Sequence, residues 1–184
     1  MKKTKFLRIS LFLLYFVTIS SNNFAETMFK DNFQDPSQWR YIGDNVMGGV
    51  SKGNVEFKII DSEAVAILSG SVTTENNGGF FRLAHSPKNV DKEVKGIRFM
   101  AKGNNEIYEV HVTMQGLRMP PWAYHSSTFD VNAEWKMFEI NFSDFEKKSG
   151  VSSKLRPNNI RDISFAGYGR DFDVDLQVKE ISFY

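Results

Sequence analysis

Hydrophobic alternation with a period of two runs through this chain, and the 3.6-residue period of an amphipathic helix is scarce. Ile97, Phe99 and Ala101 alternate with Arg98, Met100 and Lys102. Tyr108, Val110, Val112 and Met114 alternate with Glu109, His111 and Thr113. Phe138, Ile140 and Phe142 follow the same rule, as do Ile163 and Phe165. Val174, Leu176 and Val178 do so too, but Ile181 and Phe183 fall on the opposite parity. A one-residue slip inside a strand is the mark of a β-bulge. Asp35-Pro36-Ser37, Gly53-Asn54, Ser86-Pro87-Lys88, Asn104-Asn105 and Arg156-Pro157-Asn158 punctuate these runs as turns. Many short strands with turns at this spacing predict an all-β antiparallel sandwich. The one helical candidate is Ser143 to Lys148, with Ser143 as its N-cap.

The chain has no cysteine, so packing rather than disulfides must hold such a sandwich. Seventeen phenylalanines supply much of the apolar material. Residues 1–25 read as a signal peptide: a basic start (Lys2, Lys3, Lys5, Arg8), an apolar run from Leu11 to Ile19, and a small-polar stretch ending at Ala25. That apolar run is short for a membrane span, which needs roughly 20 residues. No later stretch approaches one, so the mature chain is expected to carry no transmembrane span. Residues 26–184 read as one domain, exported to the periplasm or cell envelope, and anchored in the membrane if the leader stays uncleaved. The formal net charge is +1, and no basic stripe suggests nucleic acid.

Two glycine clusters stand about thirty residues apart: Asp44-Asn45-Val46-Met47-Gly48-Gly49-Val50-Ser51 and Asn76-Asn77-Gly78-Gly79-Phe80. Glycine serves where backbone must approach backbone closely or take a positive φ. The clusters are expected to meet in space, with Asp44, Asn45, Asn76 and Asn77 at a shared rim and asparagine amides satisfying the loops. They read either as tight connections or as a binding loop. Met47 reads as a core plug. Arg82, two residues past Phe80 on a strand, would share its face and could meet Asp44 or project into solvent. Trp122 and Tyr124 follow Pro120-Pro121 and suit stacking on a sugar ring or anchoring a protein partner.

These clusters, with Trp39, Gly70, Lys95-Gly96-Ile97, Glu134-Trp135, Phe142-Ser143-Asp144-Phe145 and the tail Phe165-Ala166-Gly167-Tyr168 to Phe183-Tyr184, resemble the complex I intermediate-associated protein family. The resemblance implies a galactose-binding-like jelly-roll sandwich. It also implies an assembly role, since eukaryotic members assist assembly of respiratory complex I. Asn45 departs from the family pattern, where glycine is common, and Asn104-Asn105 replaces an aspartate-glycine turn.

No nucleophile elbow or phosphate loop is present. His85, His111 and His125 lack metal-ligand spacing, although Asp171, Asp173 and Asp175 would share one strand face, open to solvent or to calcium. The expectation is a non-enzymatic module without cofactor or metal. Its partner is a protein, in a chaperone-like or assembly-support role, or alternatively a glycan, as a carbohydrate-binding module.

Overall fold

A computed structural model describes residues 29–116 and 123–184. The leader and Trp122 therefore lie outside the described residues. Two antiparallel sheets pack face to face as the expected jelly-roll sandwich. The first sheet is built from β1 (Lys30–Asp31), β3 (Lys52–Ile60), β4 (Glu63–Val72), β6 (Gly96–Gly103), β9 (Lys136–Asn141) and β12 (Phe172–Phe183). Its order is β3-β4-β12-β6-β9, with β1 pairing the far end of β12. The second sheet is built from β2 (Trp39–Gly43), β5 (Phe80–His85), β7 (Ile107–Met114), β8 (Tyr124–Asp130), β10 (Glu146–Lys148) and β11 (Ile160–Tyr168). Its order is β10-β8-β7-β11-β5-β2.

The core follows the alternation. Phe99 on β6 meets Phe165 on β11 edge-on at 4.8 Å and Phe129 on β8 at 5.0 Å, so aromatic contacts cross between the sheets. Such pairs contribute about 0.5–1.5 kcal/mol each beyond their area. Leu68, Leu83, Val110, Leu176 and Val178 are fully buried around them. The bulge read from the sequence is present. Glu180 takes a φ of 53°, the β12–β6 register shifts between Lys179 and Ser182, and Ile181 and Phe183 return to the core.

The helix expected at Ser143 to Lys148 is not formed. Phe142–Asp144 make one 3-10 turn, and Glu146–Lys148 are strand β10. The packing of Phe142 and Phe145 explains this. Both are buried, and residues three apart eclipse on a 3-10 turn, whereas a continued helix would have withdrawn residues 146–148 from their ladder with β8. Ser143 caps nothing: the N-cap is Asn141, without a side-chain bond. At the other end, Asp31 receives the Trp39 indole N–H (2.9 Å) and the Phe33 N–H (2.6 Å), which fastens β1 to the sandwich. No helix among the described residues is long and apolar enough to cross a membrane.

Candidate functional site

The two glycine clusters do meet, and a carboxylate joins them. Asp44 opens a 3-10 turn, Asp44–Met47, that ends on Gly48 in the left-handed region at φ 88°. The side chain of Asp44 is fully buried. It accepts from Ser51 Oγ (2.5 Å) and the N–H groups of Gly79 (2.7 Å), Phe80 (3.2 Å) and Ser51 (3.2 Å). A Cβ on Gly78 would lie 2.5 Å from Asp44 Oδ2 and 2.9 Å from the Gly49 Cα. Gly49 and Gly78 are therefore glycines because this clip leaves no room. Burial pushes the Asp44 pKa up, but the donors from Gly79, Ser51 and Phe80 outweigh it and hold the carboxyl below its usual range.

Several expectations about these loops are corrected. Asp44 is at the centre of the clip, not on its rim. Asn45, Asn76 and Asn77 are exposed, and among the described residues their amides make no hydrogen bond; the Asp44 carboxylate satisfies the loop N–H groups instead. Asn76 and Asn77 are there for backbone geometry, at φ 56° and 60°, which asparagine tolerates. Met47 does not plug the core. With Asp44 turned inward, the same turn throws Met47 outward, 40% exposed. Arg82 does not meet Asp44, whose oxygens are already occupied, because the parity of β5 sends Arg82 to the opposite face from Phe81 and Leu83.

That opposite face holds a cavity of about 210 Å³, beside the clip. The strand registers space the lining side chains with small residues: Ala166 of β11 lies beside Arg82, and Ser164 lies beside His111 of β7. Larger groups line the cavity itself. His111 stacks on Tyr124 at 4.1 Å, and Tyr168 stands edge-on to both, at 5.2 and 5.9 Å. Phe80 and Arg82 form one wall, and Ile42, Met47, Asn77, Gly78 and Gly79 form the lip. Tyr168 is the most open ring of the group at 36%.

The electrostatics of the cavity are well defined. Burial lowers the His111 pKa, with Glu109 opposing, and the neutral imidazole donates from Nε2 to Glu109 Oε2 at 2.7 Å. Burial, then the hydrogen bond with Tyr168, pushes Tyr124 up, so it stays protonated. Further along the sheet, Asp162 accepts from Ser86 Oγ (2.7 Å), Arg161 Nε (2.9 Å), Thr113 Oγ1 (3.0 Å) and Arg40 Nη2. Burial would raise its pKa, but these donors hold it at about 2.

The Asp162 network makes stability pH-dependent. A carboxyl with a depressed folded pKa stabilises above its unfolded pKa of about 3.9 and loses that contribution as pH falls through the folded value. Asp162 is expected to contribute about 2 kcal/mol at neutral pH and little near pH ~2. Urea midpoints of the protein and of Asp162→Asn should differ at about pH 7 and converge in strong acid. Parallel acid profiles for the two would contradict the assignment.

The structure thus gathers Gly78, Gly79, Asn77, Arg82 and Tyr124 around one cavity, with Asp44 and Gly49 packed beneath its lip. Gly48, Asn45 and Asn76 sit on the neighbouring loops. His111, Tyr168, Phe80 and Ile42 were not singled out as site residues. The polar parity of the alternation carried the missing signal: with Val110 and Val112 inward, His111 must face outward, and with Phe165 inward, so must Tyr168. Of the acidic run, Asp171 accepts from Thr74 N and Oγ1, while Asp173 and Asp175 are exposed. No cluster among the described residues could hold a metal ion.

Solved structures share the architecture. The family 11 carbohydrate-binding module of the cellulosomal cellulase Lic26A-Cel5E of Clostridium thermocellum superposes with a TM-score of 0.71 at 19% identity, over 85% of this chain and 92% of that one. The same organism's family 11 module in complex with a beta-1,3-1,4-mixed-linked tetrasaccharide gives 0.70 at 18%, over 85% and 93%. The family 30 module of cellulase Cel9D-Cel44B of Clostridium thermocellum gives 0.54 at 11%, over 74% and 90%. At these identities the likeness is one of fold. Among curated proteins no sequence matches the chain. The model of complex I intermediate-associated protein 30 (CIA30) matches residues 25–178, and the chain belongs to that family.

Proposed function

We propose that the cavity on the open face of the second sheet binds a saccharide ring, and that this protein is a non-catalytic carbohydrate-binding module of the cell envelope. The observation that carries this reading is the gathering of a partly open tyrosine and neutral hydrogen-bonding groups in the lining of one cavity. Tyr168 offers an apolar face, and Tyr124, His111 and Asn77 offer donors and acceptors at its edge. A sugar ring presents the complementary surface, with C–H groups on one face and hydroxyls around the rim. The cavity is smaller than the roughly 300–1,000 Å³ of drug-sized sites, which suits a single ring held at one point of a longer chain.

Binding without turnover is supported by the state of the acids. Hydrolysis of a glycoside calls for two carboxyl groups free to act on the bond. Glu109 is engaged by His111, and Asp162 by four donors. Export, read from the basic and apolar leader, would bring the site to polysaccharide.

A panel of soluble oligosaccharides measured by calorimetry tests this. One class should bind, and Tyr168→Ala should weaken it about tenfold, or 1.4 kcal/mol, while leaving the melting temperature nearly unchanged, since that ring is partly open. Absence of binding to every class would remove the reading.

A second reading, a protein partner in an assembly-support role, is favoured by the family and by one surface feature. Val46, on the cavity lip, is 71% exposed, and Val50 on the same loop is 40% exposed. Val50→Ser, outside the cavity lining, would weaken capture of such a partner and leave a saccharide bound in the cavity.

A further inference from the structure

We infer that the ligand carries a carboxylate, as in a chain of uronic acid residues, and that Arg82 is the group that recognises it; this rests on the cavity being a saccharide site. Neighbouring cations on this sheet face are paired with carboxylates. Arg40 and Arg161 are spent on Asp162, and Lys148 on Glu146. Arg82 has no hydrogen bond and no ion pair among the described residues. Its Nε is buried without a partner, and its guanidinium lies 5.7 Å from the Phe80 ring centroid.

The neighbours explain why it stays unpaired. In the register, Arg82 lies between Ile42 and Ala166, and neither side chain can accept a hydrogen bond. Glu109 is one strand further, across Ala166, and holds His111. The charge of Asp162 acts on Arg82, but that carboxylate is occupied by its own donors. Burial pushes the Arg82 pKa down, and Asp162 only partly offsets this.

A largely buried cation without a hydrogen-bonded counter-ion is costly to keep. A ligand that brings the anion relieves that cost on binding. The guanidinium fork matches a carboxylate with two parallel hydrogen bonds. A neutral glucan would leave those donors unmet and would seal them from water. With Tyr168 against the ring and Arg82 against the substituent, the cavity reads an apolar face and a charge together.

The test compares uronate oligosaccharides with the same molecules after reduction of their carboxyls to alcohols, by calorimetry on the purified protein. A uronate series should bind about tenfold or more tightly than its reduced counterpart. Arg82→Met should remove that preference, so that acidic and reduced ligands bind alike, and should match or exceed the parent in melting temperature. Arg82→Lys, which keeps the charge without the fork, should fall between, and it serves if the methionine variant fails to fold. Equal affinity for acidic and reduced ligands would overturn the inference and leave the saccharide reading standing. Binding of no saccharide would overturn both. A preference for sulfated neutral sugars would overturn the carboxylate. Uronate binding that survives Arg82→Met would overturn the role of Arg82 and direct attention to the lysine-lined cavity beside His125.

Discussion

Asp44→Ala is expected to destabilise the protein by about 3–5 kcal/mol, because it leaves buried donors without their charged acceptor. Ser51 Oγ and the N–H groups of Gly79, Phe80 and Ser51 all point at that carboxylate. A typical domain has only about 5–15 kcal/mol in total, so the variant would sit close to unfolding at moderate temperature. Asp44→Asn would recover part of the loss at most, since its amide nitrogen must face at least one N–H or hydroxyl already pointing inward. Urea unfolding followed by tryptophan fluorescence should show a lower midpoint with an unchanged slope. A midpoint equal to the parent's would mean that the two loops are held by something else. The depressed pKa of Asp44 sets the sign of the acid response: its contribution is present above about pH 4 and is lost as pH falls through the folded value.

Gly49→Val should be comparably severe, and for a reason that can be separated from backbone strain. A Cβ at Gly49 would lie 2.4 Å from Asp44 Cγ and 2.6 Å from Oδ1. That carboxylate cannot swing aside without giving up its donors, so the collision and the loss of the clip arrive together, at about 3 kcal/mol or more. The two mutations should therefore be strongly non-additive. Asp44→Ala with Gly49→Val should cost less than their sum, since removing the carboxylate clears the two closest contacts and leaves only the Cβ of residue 44, at 2.8 Å. Gly48 supplies the contrast. A Cβ there meets nothing within 4 Å, and only its φ of 88° is at stake, so Gly48→Asn should cost on the order of 1 kcal/mol or less. Additive effects for the Asp44 and Gly49 pair would show that the steric account is wrong.

The architecture was legible because a sandwich writes itself in parity. The runs at 97–101, 108–114, 138–142, 163–165 and 174–183 fall in strands β6, β7, β9, β11 and β12, with Phe142 starting the following 3-10 turn, and even the bulge at Glu180 left its mark as a change of step. The hairpin between β3 and β4 was harder to read. Its two turn residues, Asp61 and Ser62, both take positive φ, 50° and 69°, which is the conformation that usually selects Asn-Gly or Gly. Here the strand ladder on either side enforces it without the signature.

The meeting of the glycine clusters could be anticipated from the need for close approach, but the identity of the clip could not. Asp44 looks like an ordinary turn residue until Gly79 and Phe80 are known to point at it. The cavity was less legible still. His111, Arg82, Tyr124 and Tyr168 come from four strands whose adjacency is fixed by long-range pairing, and local periodicity gives each one's face but not its neighbour.

The pairing of β1 with the end of β12 has a consequence for how the molecule is presented. Phe29 stands beside the end of β12, its carbonyl accepting from the Phe183 N–H, while the start of β12 lies at Thr74, on the lip. Twelve residues of strand separate those ends, a span of about 35–40 Å at 3.2–3.4 Å per residue. Anything joined to the chain ahead of Phe29 grips it from the far pole. A tether there would work as a stalk, holding the lip outward from the surface that carries it and free to sample the space beyond.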